Sequence, residues 1–222
     1  MIRKTILPAL VAALAAVTAQ AQDKRVEISG SVGWTFSEGI SGTDVKVGSF
    51  GTFNRIDPLN ALSWGARVGL RLGKGSEVGV LFDQESTDLD ITGASSLKIA
   101  DVKIRNYHGY FAYNFLATDS LARPYLLLGF GATRYSPSAV SVSGVTRDVS
   151  GDSRLSGTGA IGLKVFPEGK NFGLRLEGRW TPSRIKPDAT GFWCDPYWGC
   201  FVTSKAQYSN QFEWSGGILL RF

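Results

Sequence analysis

Histidine and cysteine are scarce in this chain, with one His and two Cys among 222 residues. A single imidazole, His108, leaves no His/Cys cluster with zinc spacing, so no metal site is expected. No serine elbow and no phosphate-cradling glycine loop appears, and no cofactor is expected. Beyond the N-terminus there is no apolar run of about 18 residues, which excludes a transmembrane helix. The net charge is +5, and no Lys/Arg run is dense enough to suggest a nucleic-acid surface. Proline is sparse too. Apart from Pro8, every one falls in an expected loop, turn or strand end, where no ladder hydrogen bond is lost.

Glycine is abundant instead, at 27 of 222 residues against roughly 7% in average usage. Aromatics make up 12%. This mixture suits many short strands and turns. The last eleven residues, FEWSGGILLRF, show the pattern. Phe212, Trp214, Gly216, Ile218, Leu220 and Phe222 alternate with Glu213, Ser215, Gly217, Leu219 and Arg221. The same period of two recurs in VEISGSVGWTF, LSWGARVGLRL, EVGVLFDQE and FGLRLEGRW, as strands with one oily face require. Three further segments, 102–115, 123–135 and 154–166, are apolar enough for strands, but their facing is ambiguous. In 102–115 the apolar phase shifts near Asn106. A bulge, or a stretch standing in water, would account for it.

The eight strands alternate between short and long connections. Residues 73–76, 117–122 and 167–170 are short; 37–60, 87–98, 136–153 and 182–206 are long. Antiparallel neighbours produce this when one end carries tight turns and the other extended loops.

The N-terminus reads MIRKTILPALVAALAAVTAQAQ. Arg3 and Lys4 precede an apolar stretch from Thr5 to Val17 and a small-x-small site at Ala19–Ala21. Residues 1–21 are therefore predicted to be a secretory signal peptide cleaved after Ala21, leaving 22–222 as one domain. In an exported chain Cys194 and Cys200, in WCDPYWGC, read as a disulfide closing a small loop. A pair of metal ligands is the competing reading, but it lacks a nearby His or further Cys.

Alternation does not say which face is outside. Three features favour oil outward. The polar face is rich in glycine, at Gly33, Gly65, Gly69, Gly79, Gly173 and Gly217, which a narrow interior needs and a solvated surface does not. Its charges nearly balance: Arg67, Arg71, Arg175, Arg179 and Arg221 face Glu27, Glu77, Asp83, Glu85, Glu177 and Glu213. Aromatics on the oily face gather near strand ends, at Trp34, Phe36, Tyr113, Phe115, Trp180 and Phe222, as interfacial girdles do. An open sheet edge cannot lie in hydrocarbon, so the strands must close. An even strand number puts both termini beside the tight turns.

On the final strand ending at Phe222, on NYHGYFAYNF and on RPYLLLGFGA, the whole mature chain resembles the small bacterial outer-membrane β-barrels, the OmpA-like and OmpW-like eight-stranded group. That resemblance implies an all-β, eight-stranded antiparallel up-and-down transmembrane barrel in the outer membrane. It also implies that Trp214, Ile218, Leu220 and Phe222 carry the signal read by the outer-membrane assembly machinery.

Chemistry is thin. His108 is the one available base for a Ser/His/acid site, and its neighbours Tyr107 and Tyr110 read as interface aromatics. The interior charges read as a salt-bridged plug, since an eight-stranded barrel is just wide enough for its own side chains. The alternative is a solute path lined by them. The loop over 182–206 presents Phe192, Trp193, Tyr197, Trp198 and Phe201, either packed on itself or offered to an extracellular ligand. The expected function is a monomeric, non-enzymatic structural or adhesive barrel, in contact with outer-membrane lipid and binding through its loops. The alternatives are a narrow, porin-like channel for small solutes and a lipid-modifying enzyme.

Overall fold

A computed structural model of the chain describes residues 25–46, 52–73, 75–93, 96–116, 120–138, 140–142, 145–147, 151–184, 194–195, 199–200 and 208–222. The expected signal peptide over residues 1–21, Cys194 and Cys200 beyond their backbones, and Phe192, Trp193, Tyr197, Trp198 and Phe201 lie outside that description. All regular structure among the described residues is strand. In chain order the strands are β1 (Val26–Ser37), β2 (Ile40–Lys46), β3 (Thr52–Pro58), β4 (Ala61–Arg71), β5 (Ser76–Gly93), β6 (Ser96–Asn114) and β7 (Ala122–Pro137). There follow β8 (Val140–Val142), β9 (Val145–Arg147), β10 (Asp152–Val165), β11 (Phe172–Arg184), β12 (Cys194–Asp195), β13 (Gly199–Cys200) and β14 (Tyr208–Arg221).

Eight of these close a ring. Going round it, β1, β4, β5, β6, β7, β10, β11 and β14 each pair antiparallel with the next, and β14 returns to β1. The seam is sealed to its end. The Val26 and Phe222 backbones exchange hydrogen bonds of 3.1 and 2.9 Å, so no edge is left open to lipid there.

The start of β1, the end of β14 and the short β4–β5, β6–β7 and β10–β11 connections share one end of the barrel. In one turn Leu72 N–H donates to Ser76 at 2.9 Å. In another Lys170 N–H donates to Pro167 at 3.1 Å. Gly169 there adopts φ 67°, where a side chain would be strained.

The opposite end departs from the expected loops. Residues 87–98 are not a loop. β5 runs 18 residues and β6 runs 19, and the two stay paired from Ser76↔Tyr113 to Thr92↔Ser96 with one register shift, between Leu89 and Asp90. The other long connections hold small hairpins, β2–β3, β8–β9 and β12–β13. Above Ala61, where β4 begins, β3 replaces it as the neighbour of β5, pairing Pro58↔Leu89 through Phe53↔Gly93. The β5–β6 ladder thus continues beyond β4 and β7, with β3 alongside β5, Gln84–Gly93 alone being on the order of 30 Å of extended chain.

The expected phase shift at Asn106 is not a bulge. Pairing is continuous on both sides of β6, through Asp83↔Asn106 and Asn106↔Thr133. Inward positions run Val102, Ile104, Asn106, His108, Tyr110, Ala112, Asn114, all buried. Outward positions change character instead. Phe111 and Tyr113 are oily, whereas Lys103 and Arg105 are charged. The strand keeps its phase while the medium outside it changes from hydrocarbon to water. β5 does the same, passing from Val78, Val80 and Phe82 to Gln84, Ser86 and Asp88. The boundary lies at the cross-strand pair Phe82↔Tyr107.

Candidate functional site

The two faces of the barrel wall settle the inside-out question. Phe130, Trp214 and Leu62 are 77%, 67% and 65% exposed, while Glu77, Glu177 and Arg67 are 2%, 3% and 5% exposed. A wall that is oily outside and ionic inside is stable only in lipid.

Inside, charge is met by charge. Lys164 Nζ lies 2.5 Å from both Glu27 Oε2 and Glu77 Oε2, and Glu77 also accepts from Tyr110 Oη at 2.7 Å. One level on, Arg67 Nη2 donates to both oxygens of Glu177, at 2.8 and 2.9 Å, and Tyr125 Oη donates to the same carboxylate at 2.5 Å. Arg175 Nη1 donates to Ser29 Oγ at 2.6 Å. Above these, Arg179 Nη2 lies 2.7 Å from Asp83 Oδ2 and 2.8 Å from Glu213 Oε1. Higher still, Asn106 Nδ2 donates to Asp83 Oδ1 (2.8 Å) and Gln211 Oε1 (3.3 Å), and Gln211 Nε2 donates to Glu85 Oε1 at 2.7 Å. At the terminal end the guanidiniums of Arg221 and Arg123 face the Phe166 ring, 3.4 and 4.7 Å from its centroid. Arg71 is half-buried near the same end.

These contacts cross the lumen. β11 and β5, which carry Arg179 and Asp83, are four places apart in the ring of eight, hence diametrically opposed. The strands of Asn106 and Gln211, β6 and β14, are likewise opposed. Among these ions, the β5–β6–β7–β10 side also holds an apolar cluster of Leu81, Tyr110, Ala112, Tyr125, Leu127 and Ala160. Glycine makes room for the tyrosines. A Cβ on Gly79 would stand 2.7 Å from Tyr110 Cζ, and one on Gly162 would stand 2.5 Å from Tyr125 Oη. Neither position can carry a side chain while the ring stays where it is.

Sequence reasoning missed Lys164 and Arg123, which join the interior cations. Both lie on strands whose facing was ambiguous, yet Lys164 shares its phase with the small residues Gly162, Ala160 and Thr158, which marks that face as inward. Tyr110 is not an interface aromatic. It is 5% exposed and points into the lumen, whereas Tyr107 faces out at 48%. His108 also points inward, with Nε2 2.8 Å from Ser156 Oγ. Its Nδ1 is buried without a hydrogen-bond partner among the described residues, so the imidazole lacks the orienting carboxylate that a hydrolytic triad uses. No group of three or more His, Cys, Asp or Glu that could hold a metal occurs among the described residues.

Trp214, Ile218, Leu220 and Phe222 all lie on the oily face, between 43% and 67% exposed. Beyond the bilayer boundary, Leu89, Ala100, Val102 and Ile104 are buried on the inner side of the projecting hairpin. Near its tip Lys98 Nζ binds Asp88 and Asp101 at 2.9 Å each. The hydrogen bond from Lys98 holds the Asp101 carboxyl below its ordinary range. The backbones of Cys194 and Cys200 lie directly opposite each other in the β12–β13 ladder.

Residues 6–192 match the family described as "Outer membrane protein beta-barrel domain". Among solved structures, the fold is similar to that of Neisserial surface protein A, at 14% identity and a TM-score of 0.54, over 90% of this chain and 98% of the other. It is also similar to the outer membrane protein OprG from Pseudomonas aeruginosa, at 11% identity and a TM-score of 0.55, over 90% and 97% of the two chains. No curated protein sequence matches the chain.

Proposed function

Because the chain belongs to the outer membrane protein beta-barrel domain family and lies in the outer membrane, we propose that it is a monomeric barrel closed to solutes, with a structural or adhesive role exercised through its projecting strands and loops. The observation that carries this reading is the Arg179–Asp83 bridge between diametrically opposite strands, 2.7 Å long and buried on both sides. A solute would have to break that bridge and the Lys164 and Arg67 bridges below it, leaving buried charges unpaired at several kcal/mol each.

In this reading the tight turns and termini face the periplasm, and the β5–β6 hairpin and the 182–206 loop face outward. The loop aromatics Phe192, Trp193, Tyr197, Trp198 and Phe201 then meet an extracellular ligand. The signal peptide ends at Ala21, and the outer-membrane assembly machinery reads the last strand. The His108–Ser156 contact does not favour a lipid-modifying enzyme, because it is enclosed by the wall and has no carboxylate at Nδ1 among the described residues. Substituting His108 should leave the lipid A pattern of the cells unchanged.

Recordings on the purified protein in planar bilayers test the closed lumen. No steady conductance is expected. A stable conductance step in proportion to protein added would overturn the reading. Maleimide labelling of Ser96→Cys on intact cells tests the orientation: surface labelling is expected, and labelling only after lysis would reverse it.

A further inference from the structure

Just above the hydrocarbon boundary the outer wall carries cations with no acidic partner among the described residues. Arg105 on β6 and Arg134 on β7 are direct cross-strand partners, and both side chains point outward. Like charges directly opposed on a ladder destabilise it unless something lies between them. Arg105 has a neutral partner, Gln84, at 2.7 Å. Among the described residues, neither Arg105, Arg134 nor Lys103, outward on the next rung up, is ion-paired. The cross-strand neighbours on these two rungs, Gln84, Ser153, Ser86 and Ser136, are neutral. One rung higher, Asp88 and Asp101 are both already bound by Lys98.

Below Arg105, and running sideways across β5 to β4, the wall is dented. Ala66, Val68, Val80, Phe82, Tyr107 and Gly109 line a groove of about 470 Å³ on its lipid side. Its floor is low because Ala66 and Gly109 are small. A Cβ at Gly109 would meet nothing within 4 Å. One end is framed by rings, with Phe82 lying 5.4 Å from Trp64 and 5.2 Å from Tyr107, centroid to centroid. Tyr107 and its partner Ala132 are one rung below Arg105 and Arg134.

A cationic cluster at headgroup height over an apolar slot has the shape of an anionic lipid. We propose that the outward face of β4–β7 binds a phosphorylated, acylated glycolipid of the outer leaflet, with a phosphate between Arg105, Arg134 and Lys103 and one acyl chain in the groove beneath. Two guanidiniums can each present a fork to phosphate oxygens, and phosphate between them removes their mutual repulsion. The choice of leaflet rests on the orientation proposed above; the binding itself does not.

The test uses the full mature chain, folded in detergent, with folding checked by the heat-dependent shift on a gel. Three probes are compared by native mass spectrometry and titration: diphosphoryl lipid A, the same lipid stripped of phosphate, and inorganic phosphate. The wild type should prefer diphosphoryl lipid A to either. Arg105→Gln with Arg134→Gln should weaken its binding on the order of tenfold or more, from lost charge-assisted bonds. Gly109→Leu, whose Cβ meets nothing within 4 Å and whose side chain would occupy the slot, should weaken lipid binding while the folded gel mobility is kept. Equal binding of phosphorylated and stripped lipid, or no change in either folded variant, overturns the proposal. So does inorganic phosphate binding as tightly as the lipid. Labelling of Ser96→Cys only after lysis would overturn the outer-leaflet source alone, so the two failures are distinguishable.

Discussion

Arg179 on β11 and Asp83 on β5 face each other across the full width of the barrel, 2.7 Å apart and 96 residues apart in the chain. Arg179 also holds Glu213 at 2.8 Å. Arg179→Met strands two buried carboxylates and should cost about 3–5 kcal/mol. Asp83→Asn should cost less, because Glu213 still pairs with Arg179 and the amide oxygen still accepts. Guanidinium unfolding followed by tryptophan fluorescence measures both. The reverse order would show that the bridge does not hold the lumen as described.

Gly79 and Gly109 flank the same β5–β6 ladder from opposite sides of the wall. Gly79→Val drives a side chain into Tyr110, and overpacking of this kind costs about 1–3 kcal/mol or more. Gly109→Leu enters open space and should leave the unfolding midpoint where it is. Equal losses at the two positions would contradict the assignment of Gly79 inward and Gly109 outward.

Phe222 closes the seam through its backbone, exchanging hydrogen bonds with Val26. Its ring is half exposed on the oily face, so it adds little packing. Phe222→Ala should therefore leave the stability of protein refolded in detergent nearly unchanged. The fraction assembled in the outer membrane of growing cells should fall several-fold if the ring is part of an assembly signal. Equal assembly of both proteins would remove that role.

Cys194 and Cys200 are direct partners in the β12–β13 ladder. Antiparallel partners have Cα atoms about 4.5–5.5 Å apart, within the range a disulfide spans. Peptide mapping without reductant should recover the two cysteines linked. Cys194→Ser with Cys200→Ser should speed proteolysis within 182–206 and leave the barrel's unfolding midpoint unmoved. Two free thiols in the secreted, unreduced protein would refute the link.

The barrel was legible wherever a strand has one medium on each side for its whole length. β1, β4, β11 and β14 meet lipid outside and the lumen inside, and their facing can be read from the period of two alone. β6 could not be read this way. Val102 and Ile104 point inward in water, Phe111 and Tyr113 point outward in lipid, and the apolar residues change faces although the strand does not. The same inversion made residues 87–98 look like a loop. Lys164 and Arg123 escaped notice because their strands carry apolar residues on both faces: Leu127 and Ala160 fill the lumen while Leu126 and Ile161 meet lipid. The groove below Arg105 arises from strand pairing, which places Val68, Val80 and Gly109 side by side although they are distant in sequence.

The sealed seam between Val26 and Phe222 bears on how the molecule comes into being. Lys164 and Arg67 find their carboxylates three places round the ring, and Arg179 reaches Asp83 four places round while its other partner, Glu213, lies on the adjacent strand. An unclosed sheet would hold the cross-lumen partners apart, hydrated and unmatched. Only when the last strand meets the first do Lys164, Arg67 and Arg179 come within reach of the carboxylates across the lumen. Insertion is therefore expected to be all-or-none, with partly built barrels open, wet and unstable until the final rung locks.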